Sequence, residues 1–176
     1  MFPMSELNSN LVRFDSLPPL EAESEFLKCC GSENWAALMT EGRPYKSLAE
    51  LKETAERIWW SLKPEDWLQA FKSHPKIGET RPQQNDSKVE NKWSQQEQSG
   101  VGAAAKETID KLAELNRDYE AKFGYIFIVC ATGRSAGEML TILQGRLLND
   151  PEKELPIAAA EQAKITALRL EKLLNE

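Results

Sequence analysis

Ser47-Leu48-Ala49-Glu50-Leu51-Lys52-Glu53-Thr54-Ala55-Glu56-Arg57-Ile58-Trp59-Trp60-Ser61-Leu62 is the stretch that decides the fold class. Its apolar side chains at Leu48, Leu51, Ala55, Ile58, Trp59 and Leu62 recur every three or four residues. That is the period of one helical face, with the charged residues left for the other. Immediately after it, Pro64 suits a first helical position and Glu65 and Asp66 the first turn, which predicts a short helix through Phe71. Upstream, Leu20, Phe26, Leu27, Trp35 and Leu38 predict helix over 20–41. Gly31-Ser32 interrupts it as a C-cap followed by an N-cap.

Downstream, residues 79–93 are polar and rich in turn formers, and read as the longest loop of the chain; loops of that length in a compact domain are often functional. A long helix is expected from Ser94 to Phe123, stopped by Gly124, with Ile109, Leu112, Leu115 and Tyr119 on its buried face. Tyr125 to Ala131 is the one β-like run. It is too short and isolated to imply a sheet, and reads as an extended segment or as the first turns of a buried helix. Thr132-Gly133 breaks the run, and Ser135 to Leu148 reads as helix. The last helix, Leu155 to Leu174, carries the stripe Ala160, Ala163, Ala167, Leu170 and Leu174. The sum is an all-α chain: a single-domain helical bundle of about seven to nine helices over residues 1–176.

The 176 residues suffice for one domain with a real core, and 28% charged with 41% hydrophobic residues is ordinary for a soluble globular protein. A net charge of −6, with no basic stretch interleaved with aromatics, argues against nucleic acid. No apolar segment approaches the roughly 20 residues of a membrane span. Met1 to Ser5 lacks the features of a secretory signal, and Leu173-Leu174-Asn175-Glu176 lacks a peroxisomal address, so the cytoplasm is the expected location. Cys29, Cys30 and Cys130 suit neither a disulfide framework nor a zinc site, and read as reduced, packed thiols.

Chemistry points first to His74, the only histidine, in Ser73-His74-Pro75-Lys76-Ile77-Gly78. Imidazole is the side chain whose ordinary pKa lies near neutrality. Pro75 restricts His74 to extended backbone angles, so the histidine cannot continue the preceding helix. That geometry suits a ring facing a pocket, and equally an exposed elbow. Ser94-Gln95-Gln96-Glu97-Gln98 has two readings. Ser-x-x-Glu at the head of a helix is a capping box. The same helix start, with Ser94, Glu97 and Gln98, could hold a small flat ligand rich in nitrogen and oxygen. Arg134 and Arg169 each offer a planar fork for a carboxylate if they face a pocket.

Together with Phe26 to Ser32, Trp35, Trp67 to Phe71, Lys122 to Arg134 and Ala159 to Leu170, these elements resemble one family. It is 2-oxo-4-hydroxy-4-carboxy-5-ureidoimidazoline (OHCU) decarboxylase, of uric-acid degradation. The His-Pro-x-Ile-Gly and Ser-x-x-Glu-Gln elements carry the resemblance, and Phe123-Gly124 with Cys130-Ala131-Thr132-Gly133-Arg134 looks most like the plant and bacterial branch. The resemblance implies an all-α homodimer that decarboxylates OHCU to (S)-allantoin with no cofactor and no metal. By motif, His74 and Glu97 match the catalytic pair, and Arg169 matches the arginine near the substrate carboxylate, with Arg134 as the alternative. Pro75, Ser94 and Gln98 match ligand contacts, as does the backbone of Phe127, Ile128, Val129 and Ala131. Plant relatives carry a fused hydroxyisourate hydrolase, so here a separate hydrolase is expected upstream. The competing class is a helical interaction module in which His74 and Glu97 are merely structural.

Overall fold

The computed structural model describes residues 4–76, 92–93, 96–97 and 105–175. Among them lie eight helices: α1 (Met4–Asp15), α2 (Pro19–Cys29), α3 (Glu33–Glu41), α4 (Leu48–Ser61), α5 (Pro64–Lys72), α6 (Lys106–Phe123), α7 (Ala136–Arg146) and α8 (Pro151–Asn175). No described residue belongs to a strand, so the all-α expectation is met and the helix number falls within it. The chain divides into two compact units, one of residues 1–70 with 163–176, the other of residues 71–162.

In the first unit, serine caps start the helices where the sequence places them. Ser47 Oγ accepts the Glu50 N–H at 3.1 Å, and the Glu50 carboxylate reaches back to the Lys46 N–H at 2.6 Å. Ser32 Oγ accepts the Trp35 N–H in the same way. Such caps contribute about 1 kcal/mol each by satisfying an otherwise orphaned donor. Leu51, Ala55, Ile58 and Trp59 form the buried stripe of α4. Phe14, Phe26 and Trp35 meet edge to face at 4.9 and 5.8 Å, and the Trp35 indole donates to the Ala55 carbonyl. Full burial of Phe26, Met39 and Leu51 stabilises by about 1.5–3 kcal/mol apiece. Leu20 and Leu38 lie in helices as expected but are exposed. One expectation fails here. Cys30, in extended conformation, caps α2 in place of Gly31, its N–H returning to the Phe26 carbonyl.

In the second unit, Leu112 and Tyr119 of α6 pack with Met139 and Leu143 of α7 and with Phe127, Val129 and Ala131 between them. Ile109 and Leu115 are half-buried against the same cluster. Gly124 ends α6 at φ 85°, a left-handed angle that suits glycine, and its N–H closes on the Glu120 carbonyl at 2.8 Å. Residues 125–131 are neither helix nor strand, which excludes the alternative of a buried helical start.

Three boundaries differ from expectation. The helix expected from Ser94 is not continuous to Phe123, because Ala105 is extended at ψ 142° and α6 starts at Lys106. Gly100 and Gly102 lie just before that break, and glycine weakens a helix interior by roughly 1 kcal/mol. The expected loop of residues 79–93 lies outside the described residues except for Lys92 and Trp93, which are helical, with Trp93 fully buried. α8 begins at Pro151 rather than Leu155, the Asp150 carbonyl accepting the Lys153 and Glu154 N–H groups. Pro156 therefore sits inside the helix, where it removes one backbone donor.

Candidate active site

His74 follows the end of α5, and its N–H closes a turn on the Phe71 carbonyl at 3.2 Å. Pro75 prevents another helical turn, so the chain leaves α5 at this residue. The histidine is buried, not an exposed elbow. Its Nε2 lies 2.5 Å from Oε1 of Gln162, a fully buried side chain of α8. An amide oxygen only accepts, so Nε2 is the nitrogen that carries hydrogen in this contact.

Gln162 belongs to a row of polar side chains that sequence periodicity missed. On α8 the buried positions include Glu154, Glu161, Gln162, Thr166 and Arg169, whereas Ala160, Ala163 and Ala167 of the expected stripe are only half-buried. Glu154 to Glu161 and Gln162 to Arg169 are each seven residues apart, with Thr166 between the latter two. That is the same helical period, written in polar residues.

The segment carrying Phe127, Ile128, Val129 and Ala131 is buried at all four positions. Buried backbone outside helix and strand needs other partners for its N–H and C=O groups. Charged side chains supply them. Arg146 Nη1 donates to the Ile128 carbonyl at 2.5 Å, and Arg134 Nε donates to the Cys130 carbonyl at 3.2 Å. The Cys130 N–H donates to the Glu161 carboxylate at 3.3 Å.

Arg146 is itself fixed. Its guanidinium meets Glu154 through Nε and Nη2, both side chains being buried, and lies 4.6 Å from the centre of the Phe127 ring. Burial pulls the guanidinium pKa down, but hydrogen bonding and charge from Glu154 and Tyr119 hold it above its ordinary value. The Tyr119 hydroxyl, which donates to Glu154 at 2.8 Å, is driven far up by burial, Arg146 opposing and Glu154 reinforcing. Tyr119 lies on the buried face of its helix as expected, but Arg146 and Glu154 were not singled out from the sequence, because no local motif joins them.

Glu97 is buried, next to Gln96 in a helical pair. Ser94 and Gln98 lie outside the described residues. Pro75 and Arg134 are half-buried. In the first unit, Arg169 is buried on α8 and acts on Cys30. Burial pushes the Cys30 thiol up to about 12, with Ser32, Thr166 and Arg169 pulling the other way. Among the described residues no three His, Cys, Asp or Glu side chains gather where they could hold a metal ion. No helix among them is long and apolar enough to cross a membrane.

The family model for OHCU decarboxylase matches residues 15–171. This chain belongs to the OHCU decarboxylase family. The match runs through both compact units, from α1 to the last turns of α8. Among family relatives, an Arabidopsis thaliana protein named "Uric acid degradation bifunctional protein TTL" is 40% identical over 155 residues, 88% of this chain and 48% of that protein. The "Uric acid degradation bifunctional protein PucL" of Bacillus subtilis (strain 168) is 28% identical over 178 residues, all of this chain and 33% of that protein. The chain thus spans between a third and a half of these relatives. A crystal structure of OHCU decarboxylase in the presence of (S)-allantoin superposes with a TM-score of 0.75 at 40% identity, covering 86% of this chain and 98% of that one.

Proposed function

We propose that this chain decarboxylates OHCU to (S)-allantoin without a cofactor, with His74, Glu97 and Arg169 as its catalytic residues. The observation that carries the reading is His74: the only imidazole of the chain, buried, and held at Nε2 by a buried amide, inside a family match. A histidine that served only as a surface elbow would need no such partner. The same reading makes Pro75, Ser94, Gln98, Phe127, Ile128, Val129, Ala131 and Arg134 substrate neighbours. It also makes the protein a cytoplasmic homodimer that receives substrate from a hydroxyisourate hydrolase.

The chemistry needs no electron sink beyond the substrate. The bond from C4 to the carboxylate breaks and carbon dioxide leaves. The bonding pair forms a C4–C5 double bond, while the imine pair moves onto the ring nitrogen, which takes a proton. The 4-hydroxyl then loses its proton, and a proton delivered to one face of C5 completes allantoin. His74 serves this proton traffic between the hydroxyl and C5. Glu97 favours the charged form of the imidazole when it lies near it. Positioned acid–base groups of this kind contribute about 10²–10⁴ in rate. Arg169 offers two parallel donors to the departing carboxylate. Its grip must not be stronger on the substrate than on the transition state, or the barrier would rise.

Circular dichroism during urate oxidation, with urate oxidase and hydroxyisourate hydrolase present, tests the reading. Adding this protein should bring rapid appearance of one allantoin enantiomer, and His74→Asn should abolish it while leaving the far-ultraviolet spectrum intact. Racemic product at the uncatalysed rate with the unaltered protein would remove the assigned activity and leave the family fold in place.

A further inference from the structure

We propose that Gln162 is a positioning residue for His74: it fixes the imidazole as the Nε2–H form and locks the ring's orientation. The proposal rests on the reading above for the catalytic part played by His74, but its geometry stands apart from that reading. Gln162 Oε1 is 2.5 Å from Nε2, and both side chains are buried. The hydrogen bond made by one ring nitrogen decides where the imidazole proton sits, and neutral imidazole has just two places for it. A buried amide is suited to this task. It accepts a hydrogen bond without adding a charge that would pull the histidine permanently into its protonated form.

Gln162 is carried by a helix that is itself held. Neighbouring Glu161 accepts the Cys130 N–H, so adjacent residues of α8 hold His74 on one side and the Phe127–Ala131 segment on the other. Two turns earlier on the same helix, Glu154 is pinned by Arg146, whose other end holds the Ile128 carbonyl. The helix that carries Gln162 is therefore registered against this segment at two points. A displacement of α8 would move the histidine's partner and the segment's partner together. Second partners that orient a functional histidine commonly matter by about 10–100-fold, as metal-bound histidines show.

A chain with one histidine permits a direct test. Protein labelled with nitrogen-15 in histidine gives one pair of ring nitrogens, whose shifts and couplings to the ring hydrogens report the tautomer without assignment. The unaltered protein should show the Nε2–H form at a pH where the ring is neutral. Gln162→Leu should lose that preference, and its kcat should fall about 10–100-fold with KM little changed. Gln162→Glu, which keeps an acceptor at the same place but adds the charge that the amide avoids, should keep a hydrogen-bonded Nε2–H and hold the ring protonated to higher pH than in the unaltered protein. Ring signals of the Nδ1–H form in the unaltered protein would overturn the proposal. So would Gln162→Leu spectra identical to those of the unaltered protein, whatever happens to activity. Should Gln162→Leu not fold, the spectra of the unaltered protein and of Gln162→Glu decide. A defined Nε2–H signal in a chain with no decarboxylase activity would uphold the positioning and refute the proposed function instead.

Discussion

Arg146 and Glu154 form a buried ion pair at 2.8 Å, joining the end of α7 to the start of α8 beneath the Phe127–Ala131 segment. The pair is not an isolated contact. Tyr119 and Asn149 also donate to Glu154, and Arg146 donates to the Ile128 carbonyl, so most polar atoms of the cluster have partners. Burying two charges is repaid only when the geometry is this complete, and removing one partner strands the other. Arg146→Met should therefore lose about 3–5 kcal/mol of stability by urea denaturation, whereas Arg146→Met with Glu154→Leu should recover much of it. A single variant as stable as the parent would show the pair to be dispensable.

Glu97→Gln tests the acid–base pair from the other side. The substitution is nearly isosteric and keeps a polar group at this buried position, but removes the charge that would favour imidazolium. Initial rates in the coupled assay should fall by about 100-fold or more, with denaturation shifted by no more than about 1 kcal/mol if the residue also caps its helix. Equal losses of rate and stability would make Glu97 a structural residue.

Much of the fold was legible where local rules and packing agree. Ser32 caps its helix where an N-cap was expected, and Gly124 ends α6 in the left-handed conformation. The α4 stripe is buried as its period requires. The reading failed where inward faces are polar. Periodicity scores apolar residues, so on α8 it chose Ala160, Ala163 and Ala167 over the side chains that are more deeply buried, Glu161, Gln162, Thr166 and Arg169. That helix also starts earlier than expected, at Pro151, a residue type suited to first turns, and continues through Pro156. Of the site, His74 stood out because it is unique and precedes a proline. Gln162 is 88 residues away and carries no charge or motif, so only tertiary structure brings the pair together.

Arg134 and Arg169 can be told apart as carboxylate anchors. Arg134 already uses Nε on the Cys130 carbonyl, so its loss should disturb the segment more than it weakens charge recognition. Arg169→Lys keeps the charge but loses the planar fork. If Arg169 holds the carboxylate, KM in the coupled assay should rise about tenfold or more in Arg169→Lys, equivalent to roughly 1.4 kcal/mol of binding. Arg134→Lys should then change KM far less. The reverse order would transfer the role to Arg134.

Stability should fall on the alkaline side, and the sign follows from two raised pKa values. Burial pushes the Cys30 thiol from 9.0 up to about 12, with Ser32, Thr166 and Arg169 only partly opposing it. Burial likewise raises the Tyr45 hydroxyl from 10.0 to about 12, and Asp15 adds to the effect. Below the lower values both groups are protonated in the folded and the unfolded chain, so neither makes stability depend on pH. Above them the unfolded chain loses protons that the folded chain retains, and each pH step then favours unfolding until the folded groups titrate as well. Urea midpoints should therefore hold steady to about pH 9 and decline from there toward about pH 12. Cys30→Ala should flatten the decline, because alanine carries no proton to lose and fits the small buried site. In the folded protein the Cys30 thiol should also resist a thiolate-directed reagent at pH values where an ordinary cysteine reacts, until urea opens the chain. A Cys30 that reacts at the rate of an exposed thiol in the native state would contradict the burial on which this sign depends.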